Sequence, residues 1–296
     1  MKQKLQGLGT ALVTPFTDKG TVDTEALHRL LDKQLAAKVD FLVVLGTTGE
    51  PVTMTPREQQ LVRKTIVEHV NGRVPLVLGL GGNCTQEVVE RLGMRSEELK
   101  RDYAAILSVC PYYNKPQQEG LYRHFATIAE ASPVPVILYN VPGRTGVNLL
   151  PETVFRLAAN YPHHIIGVKE ASGNVEQIQT IIRGVRGSEF VVLSGDDGLT
   201  AQLMLSGAHG LISVLSNALP EAAMQLVHHP SLEQQLALDK LIKALFAEGN
   251  PTGIKALLSI QDGMSDRVRL PLVEASEGLK SNLRKLLTAY EDSYIR

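Results

Sequence analysis

Lys169 is the residue of this 296-residue chain whose type and position point most clearly to chemistry. It directly follows the apolar run 165–168. A lysine at the end of a buried strand is not an ordinary solvent-exposed surface residue. Burial disfavours the charged form of an amine, and a neutral lysine amine can attack a carbonyl carbon. The alternative is that Lys169 is buried only as the ion-pair partner of an aspartate or glutamate.

Three hydroxyl groups could move protons to and from such an amine. Tyr139 ends the apolar run 136–139, and the next apolar run along the chain, 165–168, leads into Lys169. The phenol of Tyr139 is therefore expected beside the amine. Thr47 and Tyr113 follow two other apolar runs, and their hydroxyls could form a short relay with Tyr139. The alternative is that each hydroxyl is only a satisfied polar group of the core.

Two further features could bind carboxylates. The turn 47–49 offers the hydroxyls of Thr47 and Thr48 together with backbone N–H groups, and Gly49 permits close approach of an anion. Arg144 lies in a glycine-flanked loop and could clamp a second carboxylate with two hydrogen bonds. The alternatives are an ordinary loop with a helix cap in the first case and a structural ion pair in the second.

Eight short apolar runs alternate with helix-length amphipathic stretches over the first 215 residues. This alternation predicts βαβ units and a parallel sheet whose strands are buried on both faces. Eight units match a closed (β/α)8 TIM barrel better than an open doubly wound sheet, because no glycine-rich phosphate turn follows the first run. The predicted strands are residues 10–14, 41–45, 76–80, 105–110, 136–139, 165–168, 190–193 and 210–213.

The strand pattern stops near residue 228, and helical patterns follow at 232–246, 251–261 and 277–290. We therefore predict an α/β chain with a catalytic barrel over residues 1–227 and a C-terminal helical segment over residues 228–296. The active site of such a barrel lies at the carboxyl ends of its strands. The chemically interesting residues named above all follow predicted strands.

Composition excludes several classes of partner. Thirty Lys and Arg against 31 Asp and Glu, interspersed along the chain, give no basic face for nucleic acid or an anionic membrane. The longest apolar stretches fall far short of the roughly 20 residues that cross a bilayer.

The first residues lack the pattern of a secretion signal, and two cysteines fit a reducing compartment, so a cytoplasmic protein is expected. The eight histidines show no metal-binding spacing, and no metal site is predicted.

Five motifs together resemble the pyruvate-dependent class I lyases and synthases, the family of dihydrodipicolinate synthase and N-acetylneuraminate lyase. They occur in the order and spacing of that family and cover nearly the whole chain. The resemblance implies a homotetramer built from two tight dimers, or a homodimer, and no metal or organic cofactor. The motifs are GTTGE at 46–50, PYYNKP at 111–116, YNVPGRTG at 139–146, GVKEASGN at 167–174 and SGDD at 194–197.

The resemblance also assigns roles to the residues found above. It implies that Lys169 forms a Schiff base with pyruvate and that Tyr139 relays protons with Thr47. Tyr113 would complete this relay from a neighbouring subunit. Thr47 and Thr48 would hold the carboxylate of pyruvate.

Arg144 separates the branches of the family. In the synthases an arginine at this motif position holds the carboxylate of aspartate semialdehyde, which is condensed with pyruvate in the diaminopimelate route of lysine biosynthesis. Gly195 and Ile212 would line the pocket through backbone groups. The nearest alternative is an aldolase of the same family that acts on sialic acid or a 2-keto-3-deoxy sugar acid. A non-catalytic barrel that binds a keto acid or an amino acid is a second alternative.

Three further residues match positions that contact the inhibitor lysine in the family, namely Asn83, Glu87 and Tyr112. They are therefore candidates for an allosteric site. The chain departs from the pattern of lysine-sensitive relatives at two positions. Pro56 stands where such relatives often carry a histidine, and Pro51 replaces a small polar residue.

Overall fold

The computed structural model describes residues 5–294, and within them eight parallel strands close into a barrel. Each strand pairs with the next one along the chain, and the last pairs with the first. The predicted (β/α)8 barrel is therefore confirmed. The strands are β1 Gly7–Ala11, β2 Phe41–Val44, β3 Leu76–Gly79, β4 Ala105–Val109, β5 Val136–Asn140, β6 Ile165–Glu170, β7 Val191–Ser194 and β8 Gly210–Ser213.

Helices follow every strand and surround the barrel. Three more helices form the C-terminal part of the described chain. In residues 5–294 no helix has both the length and the apolar content needed to cross a bilayer. The helices are α1 Thr24–Ala36, α2 Pro56–Val70, α3 Thr85–Met94, α4 Ser96–Asp102, α5 Gln118–Ala131, α6 Pro142–Thr145, α7 Pro151–Asn160, α8 Val175–Gly184, α9 Thr200–Leu205, α10 Pro220–His228, α11 Leu232–Phe246, α12 Thr252–Asp262 and α13 Glu277–Tyr294.

Strand β1 begins and ends three residues earlier than the predicted run 10–14. The sequence hides it because Gly7 and Gly9 resemble turn residues. Gly9 is required by packing, since a Cβ atom there would lie 2.2 Å from the ring of Phe41. Beyond the strand, the backbone N–H of Val13 donates to the side chain of Asn217 rather than to a neighbouring strand.

The apolar residues form two separate cores. One core lies between the outer face of the barrel and the helices, and the other fills the barrel itself. Because side chains alternate along a strand, neighbouring residues of one strand belong to different cores. The core inside the barrel consists of Leu5, Ala11, Phe41, Val43, Val77, Ala105, Leu107, Ile137, Tyr139, Val141, Val191, Leu193 and Ile212.

The C-terminal helices are tied to the barrel by a buried ion pair. Lys255 of α12 is completely buried, and its Nζ lies 2.6 Å from Oε1 of Glu50, which follows the turn after β2. The same amine donates to the carbonyl oxygen of Arg267 at 2.8 Å. Burial lowers the pKa of Lys255 to about 8, although the carboxylate of Glu50 opposes the change.

The proposed division of the chain into a catalytic barrel and a C-terminal helical segment, between residues 227 and 228, falls within α10 and stays a prediction.

We expect Lys255→Met to destabilise the fold strongly. Removing one partner of a buried ion pair leaves an uncompensated charge, here the carboxylate of Glu50, and costs about 3 to 5 kcal/mol. Urea unfolding followed by circular dichroism measures this change. The control is Lys243→Met on α11, an exposed lysine 4.0 Å from Asp239, whose loss should cost at most about 1 kcal/mol. Equal effects of the two variants would contradict the structural role of the buried pair.

Candidate active site

Lys169 lies within the barrel near the carboxyl end of β6, which extends two residues beyond the predicted run. Its side chain is 6% exposed. Within the described part of the chain its amine has no carboxylate in ion-pair range and no hydrogen-bond partner. Its Nζ lies 4.3 Å from the centroid of the ring of Tyr139. The alternative of a lysine buried as an ion-pair partner therefore finds no support in this structure.

Tyr139 lies directly beside Lys169 because the two residues are register partners of the adjacent strands β5 and β6. It is buried and belongs to the core inside the barrel. An amine over an aromatic face is attracted by the ring quadrupole when it carries charge. The phenol ring of Tyr139 and the amine of Lys169 thus lie side by side within a single chain, as the sequence predicts.

Glu170 follows Lys169 in the sequence but does not neutralise it. Strand alternation turns its side chain to the opposite face of the sheet. There its carboxylate accepts hydrogen bonds from the side chains of Asn140 and Gln177 and from the backbone N–H of Ser172. Burial raises the pKa of Glu170, and these hydrogen bonds oppose the rise. The acid closest in sequence to the amine is therefore committed to a separate polar network.

Gly195 bounds the space around the side chain of Lys169. A Cβ atom at Gly195 would lie 2.9 Å from Cε of Lys169 and 2.7 Å from Cβ of Ala171, so only glycine leaves room for the lysine side chain. The N–H of Gly195 donates to the carbonyl oxygen of Glu170, which fixes this approach. Ile212 of β8 is buried in the core inside the barrel, as Tyr139 is.

The two threonines that follow β2 have different surroundings. Thr47–Gly49 forms one turn of 3-10 helix. Thr48 is buried, and its Oγ1 accepts a hydrogen bond of 3.0 Å from Nδ2 of Asn250. Thr47 is exposed and its hydroxyl makes no hydrogen bond in the described chain. The hydroxyl of Thr48 is thus hydrogen-bonded to the C-terminal segment, whereas the hydroxyl of Thr47 is available for a hydrogen bond to another group.

Arg144 is an exposed residue of the short helix α6, at the carboxyl end of β5. Its Nη2 donates to the backbone carbonyl oxygen of Asn250 at 3.2 Å. Within residues 5–294 the guanidinium has no carboxylate partner, so the alternative of a structural ion pair is not supported. The remaining N–H groups of the guanidinium can bind an incoming anion.

Tyr113 is the predicted relay residue that the single chain does not bring to Lys169. Its side chain is 88% exposed and makes no hydrogen bond to another described residue. Its backbone has a φ of 73°, in the left-handed region that bulky residues rarely adopt. The backbone N–H of Tyr113 donates to the carbonyl oxygen of Thr145, which connects this loop with the loop that carries Arg144.

Two of the three candidate allosteric residues, Glu87 and Tyr112, interact electrostatically with Arg91, a basic side chain that the sequence did not single out. Nδ2 of Asn83 donates to the carbonyl oxygen of Tyr112 at 3.2 Å. Burial lowers the pKa of Arg91, and electrostatic interactions with Tyr112 and Glu87 oppose this change. The role of this cluster as a contact for an inhibitor stays a prediction.

Asn250 is the residue of the site that sequence reasoning missed. It lies between α11 and α12, and its sequence neighbours Gly249 and Pro251 indicated only the break between two helices. Its contacts with Thr48 and Arg144 bridge more than a hundred residues of chain. No local pattern could have revealed them.

Two open cavities of the surface lie away from these residues. One of about 530 Å³ is lined by the end of α1 and by residues just before β2 and β3, at the amino end of the barrel. Another of about 320 Å³ lies between α1 and α12. Neither contains a candidate site residue. The position of the site therefore rests on the contacts of Lys169, Tyr139 and Thr48 and not on cavity size.

A buried lysine beside a tyrosine at the carboxyl end of a closed parallel barrel defines an enzyme of the (β/α)8 class. The profile of the dihydrodipicolinate synthetase family matches residues 4–290. A curated relative, the 4-hydroxy-tetrahydrodipicolinate synthase of Flavobacterium psychrophilum, is 46% identical over 291 residues, which cover 95% of this chain and 97% of the relative. The chain belongs to the dihydrodipicolinate synthetase family.

Solved structures give the same result. The dihydrodipicolinate synthase of Thermotoga maritima superimposes with a TM-score of 0.92 at 39% identity and covers 97% of this chain and 99% of its own. The chloride-inhibited dihydrodipicolinate synthase of Acinetobacter baumannii, solved in complex with pyruvate, has a TM-score of 0.90 at 37% identity, with the same coverage. The expected family and fold are thus confirmed.

Proposed function

We propose that this enzyme condenses pyruvate with aspartate semialdehyde to 4-hydroxy-tetrahydrodipicolinate, in the diaminopimelate route of lysine biosynthesis in the cytoplasm. The observation that carries the proposal is the buried amine of Lys169, which has no acidic partner in the described chain. The names of the relatives support the pair of substrates. Binding of pyruvate by the Acinetobacter baumannii enzyme supports the keto acid.

The first step of the proposed reaction joins Lys169 to pyruvate. The neutral amine attacks the ketone carbon, and the resulting carbinolamine loses water to give a protonated imine. Tyr139 lies against the amine and passes the protons that this exchange requires. Thr47, whose hydroxyl is available, extends the path of these protons. The imine nitrogen then withdraws electrons from the neighbouring methyl carbon.

Loss of a proton from that methyl carbon gives an enamine, which forms the new carbon-carbon bond with the aldehyde carbon of aspartate semialdehyde. The aldehyde oxygen takes up a proton and becomes a hydroxyl group. The amino group of the second substrate then attacks the imine carbon and closes the ring. Lys169 leaves as the free amine, so the nucleophile is regenerated and no oxidant or reductant is consumed.

Two anion sites orient the substrates in this proposal. Thr48, together with Thr47, binds the carboxylate of pyruvate, while Arg144 binds the carboxylate of aspartate semialdehyde. Backbone groups of Gly195 and Ile212 line the space between them.

The proposed relay requires a second copy of the chain. Tyr113 is almost fully exposed in the single chain and does not reach Tyr139 there. In a homodimer, or in a homotetramer of two such dimers, the partner's copy of this loop could supply the missing phenol. The strained backbone of Tyr113 supports this role, because such conformations often occur at functional sites.

The substrate pair is tested by comparing turnover of aspartate semialdehyde with turnover of sialic acid and 2-keto-3-deoxy sugar acids. We expect pyruvate-dependent consumption of aspartate semialdehyde and none of the sugar acids. Activity on the sugar acids alone would overturn the proposal in favour of an aldolase of the same family.

Arg144→Ala gives a sharper test of the second substrate. Loss of a charge-assisted contact with a carboxylate is expected to raise the KM for aspartate semialdehyde about 10- to 100-fold. The KM for pyruvate should change little. The matched control is Arg123→Ala on α5, an exposed arginine that pairs with Glu119. A rise confined to the KM for pyruvate would contradict the assignment of the two anion sites.

A further inference from the structure

Asn250 connects the two proposed anion sites with one side chain and one peptide group. Its Nδ2 donates to Oγ1 of Thr48 at 3.0 Å, and its backbone carbonyl oxygen accepts from Nη2 of Arg144 at 3.2 Å. Asn250 is only 8% exposed; its contact with Thr48 is buried, whereas its contact with the exposed Arg144 is partly buried. The C-terminal segment thereby contacts the β2 loop and the β5 loop at the same point.

The other polar atom of the Asn250 side chain is Oδ1. Oδ1 of Asn250 is buried and makes no hydrogen bond within the described residues. An unpaired buried acceptor is unfavourable for folding. Stability alone therefore does not explain an asparagine at this position. A reason other than stability is needed for an amide donor at this position between the two loops.

The direction of the hydrogen bond has a consequence for Thr48. A hydroxyl group that accepts a hydrogen bond from an amide keeps its own proton free to donate elsewhere. If the side chain of residue 250 offered only acceptors, the hydroxyl of Thr48 would donate to it and would be lost to a substrate carboxylate. The amide of Asn250 therefore prepares Thr48 to act as a donor.

We propose that Asn250 is a positioning residue that orients the hydroxyl of Thr48 toward the carboxylate of pyruvate, while its backbone anchors Arg144. The inference rests on the proposed function, because it assigns a role within the same pyruvate site. It adds a residue from outside the barrel strands and their loops. Asn250 acts through Thr48 and does not itself take part in the chemistry.

The experiment is a double-mutant cycle with Asn250→Ala and Thr48→Val. The readout is the pyruvate concentration that gives half-maximal trapping of the enzyme by borohydride, together with kcat and both KM values. Asn250→Ala alone should raise the half-trapping concentration and the KM for pyruvate about 5- to 10-fold, the value of one hydrogen bond. The KM for aspartate semialdehyde should change little, because the carbonyl oxygen that holds Arg144 remains.

In the background of Thr48→Val, the replacement Asn250→Ala should have no further effect on pyruvate, because the hydroxyl group through which it acts is absent. Asn250→Asp should weaken pyruvate binding at least as much as Asn250→Ala, since it offers only acceptors. The matched control is Asn160→Ala, which removes an amide that donates to the hydroxyl of Tyr122 on the outside of the barrel. That variant should behave as the wild type does.

Additive effects of Asn250→Ala and Thr48→Val, or equal changes in the two KM values, would overturn the positioning role. So would wild-type pyruvate affinity in Asn250→Ala. Failure of the proposed function is distinguishable, because the wild type itself would then turn over no aspartate semialdehyde, while trapping with pyruvate would still report on Asn250. If the wild type trapped no pyruvate at all, both proposals would be overturned together.

Discussion

Lys169→Ala is expected to abolish the condensation of pyruvate with aspartate semialdehyde, with a fall in kcat of at least about 1,000-fold. Without the amine there is no covalent link to pyruvate and hence no enamine. The fold should survive, because among residues 5–294 Lys169 pairs with no carboxylate that its removal would leave unpaired. Steady-state kinetics measure the loss, and circular dichroism with thermal unfolding checks the fold.

Lys169→Arg is the matched variant for this prediction. It keeps a positive charge near Tyr139, but a guanidinium stays protonated and does not form a Schiff base. It should be as inactive as Lys169→Ala. The exposed Lys64→Ala on α2 should retain full activity. Substantial activity of Lys169→Arg would show that the residue acts through its charge and not as a nucleophile.

Tyr139→Phe is expected to lower kcat about 100- to 10,000-fold, the usual contribution of a positioned acid-base group. The ring that contacts the amine is retained, and only the hydroxyl group is lost. The KM for pyruvate should change much less than kcat, because the proposed anion site at Thr48 is left intact. Rapid-quench kinetics with pyruvate alone would show whether Schiff-base formation is the step that slows.

Tyr122→Phe is the control for the loss of a phenolic hydroxyl. Its hydroxyl accepts from Asn160 on the outside of the barrel, and its removal should leave kcat unchanged. If Tyr139→Phe kept wild-type kcat as well, the phenol would be a passive core group. The proton path would then have to run through other residues.

The barrel and the position of its amine were predictable because they follow from local patterns. Buried parallel strands are nearly continuous apolar runs, and Lys169 breaks the pattern at the end of one of them. Its contact with Tyr139 follows from the pairing of consecutive strands. The start of β1 was missed because Gly9 is dictated by the ring of Phe41, a contact across strands that no local pattern shows.

The support of the site was not predictable, because its contacts join distant parts of the chain. Asn250 reaches Thr48 across 202 residues, and Lys255 reaches Glu50 across 205. In the sequence these residues look like a helix break and a surface lysine. The C-terminal helices thus carry polar groups that hold the β2 loop, a role that neither hydrophobic periodicity nor a motif indicates.

The central claim is that Lys169 is a nucleophile, and covalent trapping tests it most directly. The protein is incubated with pyruvate, reduced with borohydride, digested and analysed by mass spectrometry, with Lys169→Ala in parallel. The account predicts one modified peptide that carries the reduced pyruvate adduct on Lys169 and no adduct in the variant. An adduct on another lysine, or none in the wild type, would contradict it.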